Sequence, residues 1–113
     1  MSVTIYHNPK CGTSRKVLAA LREAGHAPTV IEYLKTPPSK SELKSLFKRM
    51  GIRPADGVRK KEKVFAQLKL ATADDEALLA AMAEHPILIE RPIVVSAKRA
   101  RICRPPETVK EFL

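Results

Sequence analysis

The chain has 113 residues, 44% hydrophobic and 29% charged, and its 21 Lys and Arg against 12 Asp and Glu give a formal net charge of +9. That length buries roughly two-thirds of the surface an unfolded chain exposes, so one domain with an apolar core is expected. Disordered and repeat architectures are excluded. No run approaches the ~18 apolar residues of a membrane span, the first residues lack a basic and then apolar leader, and two cysteines are too few for a secreted disulfide framework. A cytoplasmic protein without a membrane partner is therefore expected.

Val3-Thr4-Ile5-Tyr6 alternates apolar and polar, the period of a strand. Val17, Leu18, Leu21 and Ala24 then keep helical spacing up to Gly25, where a helix should end. Residues 29–34 read as a second strand, so the start of the chain is a βαβ unit with parallel strands, and Cys11 falls in its first βα loop. After Pro37-Pro38, Ser39 and Glu42 are spaced as a capping box ahead of the stripe Leu43, Leu46, Phe47 and Met50, which stops at Gly51. Further helices are predicted through Val64, Phe65 and Leu68, and through Ala77, Leu78, Ala81 and Met82 after Asp74-Asp75. Beyond His85-Pro86, residues 93–96 and 101–103 are spaced as a hairpin, and Pro105-Pro106-Glu107 opens a short last helix. The expected class is α/β: one mixed sheet ordered βαβ…ββα, in a single domain over 1–113 with a helical insertion at about 39–85.

The stretch HNPKCGTSRK, residues 7–16, carries the chemistry. A cysteine just before a helix meets unpaired backbone N–H groups and the positive end of the helix dipole, which favour a thiolate and also hold anions. Gly12 admits close approach to the backbone, Thr13 and Ser14 offer hydroxyls, Arg15 offers a charge-assisted donor, and His7 is placed to support the loop. The competing reading is a small buried hydrophobe, the usual fate of a lone cysteine. Cys11-Gly12-Thr13-Ser14 lacks the second thiol of Cys-x-x-Cys, and Val17 stands where a phosphatase loop needs its Arg, so neither of those chemistries fits. The net charge favours anionic partners. With aromatic residues only 4% of the chain and the basic ones spread along predicted helices, a nucleic-acid partner is not expected.

Residues 7–15 closely resemble the active-site loop of glutaredoxin-dependent arsenate reductases, a branch of the thioredoxin-like fold. The resemblance continues in register through EYLKTPPS, MGIRPADGVRKKE, HPILIERPIVV and RICRPPETV, nearly the whole chain. It implies a thioredoxin-like fold, Cys11 as nucleophile, and Arg59, Arg91 and Arg104 as the arginines that bind the oxyanion. His7, Gly12, Thr13, Ser14 and Arg15 are then supporting loop residues and Pro92 the cis-proline. Lys60 or Lys61 is able to share the role of Arg59. The implied substrate is arsenate, the co-substrate glutathione, the protein partner glutaredoxin, and the protein a monomer. No metal or bound cofactor is implied.

Several guanidinium groups suit a dianion, because charge-assisted and often bidentate bonds hold its oxygens while the same field favours the thiolate. Arg22, Arg49, Arg53, Arg99 and Arg101 are assigned to the surface, and Cys103 to packing ahead of a role as a resolving thiol. Two rivals share the fold: a stress regulator that binds RNA polymerase through a redox switch, which Ser14 in place of a second thiol disfavours, and a glutathione-dependent reductase of another substrate.

Overall fold

The computed structural model describes residues 2–113. They form two compact units, one made of 2–36 with 91–113 and the other of Pro37–Glu90.

The first unit is built on a four-stranded sheet. Strand β1 (Val3–His7) buries Val3, Ile5 and His7 on one face, as its alternation predicts. It pairs in parallel with β2 (Thr29–Glu32), Ile5 against Val30 and His7 against Glu32. On its other side it pairs antiparallel with β3 (Ile93–Ser96), Ile5 against Val94, and β3 pairs antiparallel with β4 (Ala100–Ile102). The order β2-β1-β3-β4 is a mixed sheet, the class read from the sequence. Helix α1 (Gly12–Glu23) crosses between β1 and β2 and buries Ser14, Val17, Leu18 and Leu21. These apolar residues share a core with Val3, Ile5, Val94, Cys103, Val109 and Phe112. Val109 and Phe112 come from the last element, Pro106–Phe112, which is a 3-10 helix.

β2 stops at Glu32, two residues short of the apolar run that suggests it. The carbonyl of Glu32 accepts from the N–H groups of both Lys35 and Thr36, and this turn closes the strand while Tyr33 is buried.

The second unit opens with α2 (Lys40–Met50). Ser39 Oγ accepts from Glu42 N–H at 3.2 Å and Glu42 Oε1 from Ser39 N–H at 3.3 Å, the reciprocal cap its sequence predicts, worth about 1 kcal/mol. Gly51 ends the helix at φ +71°, a left-handed conformation that a Cβ disfavours. Leu43, Leu46 and Phe47 turn inward, and α2 packs against α5 (Asp75–Glu84), whose Leu78, Leu79, Ala81 and Met82 are buried and whose start is capped by Asp74.

Between them lie α3 (Pro54–Gly57) and α4 (Lys63–Gln67). The helix predicted through the 60s is only five residues long, and Leu68 is exposed. Lys69 takes φ +54° and redirects the chain into a 3-10 turn, Leu70–Thr72, so that Leu70 is buried instead. A second 3-10 turn, Pro86–Leu88, follows α5. An antiparallel bridge between Val58 and Ile89, both buried, adds a β pairing to a region that reads from sequence as all helical.

Candidate active site

Cys11 is the N-cap of α1 in an extended conformation, and its thiol is nearly buried. Its N–H donates to Asn8 O at 3.0 Å, and its carbonyl accepts the first helical bond, from Arg15 N–H at 3.0 Å. The N–H groups of Gly12, Thr13 and Ser14 precede that bond and have no acceptor within the helix. No side chain caps this end among the described residues, and the first turn holds no acidic residue. The start of α1 is therefore an uncompensated positive pole next to the sulfur.

The loop from β1 to α1 is held by side chains the sequence places within it. Asn8 Oδ1 accepts from Lys10 N–H at 3.0 Å, and Arg15 Nη1 donates to Pro9 O at 2.9 Å. Ser14, fully buried, accepts from Asn8 N–H at 3.1 Å and lies 2.6 Å from His7 Nδ1. Burial lowers the His7 pKa below its ordinary 6.5; Glu32, its β2 register partner, opposes the shift, while Arg22 and Arg15 add to it. His7 is thus neutral at pH 7. The hydrogen bond between the Ser14 hydroxyl and His7 Nδ1 ties the end of β1 to the first turn of α1.

A lowered histidine pKa has a consequence for stability. Below pH 6.5 the unfolded chain takes up a proton that folded His7 resists, so stability falls with pH through the window between the two values and is fully present above it. His7→Gln, which cannot titrate, should show a shallower loss of melting temperature than wild type between pH 6.5 and 5. Parallel wild-type and variant curves would place the acid sensitivity elsewhere.

Gly12 is open. A Cβ built there would meet only Arg15 Nη2, at an ordinary 3.8 Å. Nothing in the protein demands glycine there by contact.

Arg104 reaches the sulfur: its Nη1 lies 3.8 Å from Cys11 Sγ and donates to Arg91 O at 3.5 Å. The Arg91–Pro92 and Arg104–Pro105 bonds are both cis. Cys11, His7, Ser14, Arg15, Arg91, Pro92 and Arg104 all belong to the first unit, whereas Arg59 belongs to the second. Within that unit Arg59 N–H donates to Leu88 O at 2.7 Å, and the guanidinium, largely buried, faces Glu62 at 3.4 Å from Nε and Glu90 at 3.6 Å from Nη1. Neither carboxylate stands out in the sequence as a partner of Arg59. The i, i+3 spacing of Arg59 and Glu62 is a visible signal for one, but Glu90 arrives only through the Val58–Ile89 bridge.

Three other arginines make exposed pairs, Arg53 with Asp75 and Arg99 and Arg101 with Glu111. Cys103 is fully buried in the core. Burial first, then Glu111, push its thiol pKa up to about 12 against a small opposing effect of Arg101, so it stays protonated and poorly nucleophilic at neutral pH. Among the described residues no cluster of three or more His, Cys, Asp or Glu is placed to hold a metal ion, and no helix is long and apolar enough to cross a membrane.

A four-stranded mixed sheet with a cysteine capping the helix after its first strand defines a thioredoxin-like α/β protein with a single thiol at the start of that helix. The ArsC family model matches residues 6–112. Over the whole chain and 82% of the relative, 52% of residues are identical to an arsenate reductase of Rhizobium meliloti (strain 1021). Identity is 47% to one of Escherichia coli (strain K12), over 99% of this chain and 81% of that one. The solved structure of arsenate reductase from Vibrio cholerae superposes with a TM-score of 0.95 at 53% identity, covering 100% of this chain and 98% of that one. The chain belongs to the ArsC family.

Proposed function

We propose that this protein reduces arsenate to arsenite with glutathione as co-substrate and glutaredoxin as the protein that completes the electron supply, through a covalent bond between Cys11 and arsenic. The observation that carries the reading is the placement of Cys11 Sγ at the unpaired start of α1 with Arg104 Nη1 3.8 Å away. The helix start and the guanidinium bring positive charge to the place where the sulfur would meet a dianion. The named relatives support the choice of arsenate among oxyanions.

In this mechanism the Cys11 thiolate attacks arsenic, and one oxygen leaves as water after taking up protons, giving a thiol–arsenate ester. Arg91 and Arg104 hold the remaining oxygens, and Arg59 is the third arginine assigned to the anion. Glutathione then displaces a second oxygen from arsenic as water, and the thiol of glutaredoxin attacks the glutathione sulfur, breaking the S–As bond. The two external thiols end as a mixed disulfide, the electron pair of the broken S–As bond stays on arsenic as As(III), and water hydrolyses the remaining bond to sulfur, freeing the Cys11 thiol and arsenite. Because both electrons come from outside, Ser14 in place of a second local thiol is no obstacle. The protein is proposed to act as a cytoplasmic monomer with no bound cofactor.

The reading is tested by following arsenite formation with purified protein, glutathione and glutaredoxin, omitting each thiol source in turn. Turnover is expected only with both present. Undiminished turnover with glutathione alone would remove glutaredoxin from the mechanism.

A further inference from the structure

We propose that Glu62 and Glu90 form a carboxylate clasp that holds the Arg59 guanidinium in position and limits how tightly it binds an oxyanion, which makes both of them positioning residues. The inference rests on Arg59 being an anion-binding arginine, as set out above.

The geometry is that of a loose pairing. Nε is 3.4 Å from Glu62 Oε1 and Nη1 is 3.6 Å from Glu90 Oε1, within ionic contact, yet both nitrogens are buried and neither makes a hydrogen bond. The three side chains are only 20, 26 and 29% exposed, so solvent does not fully compensate them. A buried N–H donor without an acceptor costs roughly 1–3 kcal/mol. Carboxylates at ideal distance would recover that cost and leave Arg59 with little reason to exchange partners. Here they neutralise the charge and keep its hydrogen-bonding capacity unspent.

The backbone makes the arrangement rigid. Arg59 and Glu90 flank the Val58–Ile89 bridge, with Arg59 N–H donating to Leu88 O at 2.7 Å and Glu90 N–H donating to Gly57 O at 2.9 Å. Glu62 N–H donates to Arg59 O at 3.3 Å, which curls the third member of the set back onto the first. Both acids are thus fixed relative to the guanidinium by main-chain bonds as well as by charge.

For an enzyme the consequence is a matter of affinity. An oxyanion held equally well before and during reaction gains nothing in turnover, and a site of several arginines risks that outcome. Two carboxylates beside one arginine repel a dianion and offset part of its binding while keeping the donor aimed.

The test is the affinity of the full chain for arsenate by titration calorimetry without thiols, in a Cys11→Ser background that prevents covalent reaction. Glu62→Gln and Glu90→Gln keep side-chain shape and remove one charge each. Each is expected to tighten arsenate binding by about fivefold, the size that loss of one partly screened charge delivers. In the Arg59→Gln background, where arsenate binds more weakly, that gain disappears. A role confined to folding would not produce this coupling. Glu62 makes no side-chain cap at the start of α4, so Glu62→Gln carries the test even if Glu90→Gln loses its fold. Unchanged or weaker binding in the Gln variants, with Arg59→Gln still harmful, overturns the clasp and leaves Arg59 its role. Arsenate binding indifferent to Arg59→Gln overturns both.

Discussion

Cys11→Ser is expected to abolish arsenate reduction, a loss of at least about a thousandfold, whereas Cys103→Ser keeps near-wild-type turnover. Cys103 is fully buried and Cys11 nearly so, and their surroundings separate them further. Cys11 caps α1, whose first three N–H groups have no acceptor in the helix, and Arg104 Nη1 lies 3.8 Å from its sulfur; a serine there is the same size but a far weaker nucleophile at neutral pH. Cys103 has apolar neighbours from β1, α1 and the last 3-10 helix, and a thiol pKa pushed up to about 12. Its replacement trades a weak Sγ contact to Arg101 O, at 4.0 Å, for a hydroxyl in the core, so Cys103→Ser should lower the melting temperature and spare the chemistry. Arsenite formation by each variant, with circular dichroism as the folding control, checks both halves. Turnover surviving in Cys11→Ser would end the covalent mechanism, and loss of turnover in a folded Cys103→Ser would restore it as a resolving thiol.

The contrast shows what a sequence carries and what it does not. The alternation of Val3 and Ile5, the Ser39 and Glu42 cap, and the helix start after Cys11 are local patterns, set by periods of two and 3.6 residues and by backbone N–H groups that need partners. They were legible because each is decided within a few residues. The left-handed Lys69 was not, since a non-glycine residue adopts that conformation only when its surroundings favour it, here by burying Leu70 in place of Leu68. The early end of β2 has the same character, a choice between Tyr33 in the interior and two more ladder bonds. At the site, the loop of residues 7–15 is one contiguous motif, and its internal bonds follow from its order. The carboxylates on Arg59 depend on a bridge that joins distant parts of the chain, a pairing no local period announces.

Arg104→Gln should lower kcat/KM for arsenate by about a hundredfold or more, the usual cost of removing a donor aimed at developing charge. Two contributions add. Nη1 stands 3.8 Å from Cys11 Sγ, so its positive charge lies beside the attacking sulfur, and in the proposed mechanism the same fork holds an oxygen of arsenate during attack. They are separable because alkylation of Cys11 by iodoacetamide needs the thiolate but no oxyanion. Arg104→Gln should therefore slow alkylation at pH 7 as well as reduction. Arg104→Lys keeps the charge without the planar fork, and should recover much of the alkylation rate but little of kcat/KM. The fork itself is positioned by the contact from Nη1 to Arg91 O, which sets the two arginine-proline segments side by side. Alkylation and reduction both at wild-type rates in Arg104→Gln would show that the start of α1 alone activates the sulfur. A variant that alkylates normally but reduces poorly would confine Arg104 to the oxyanion.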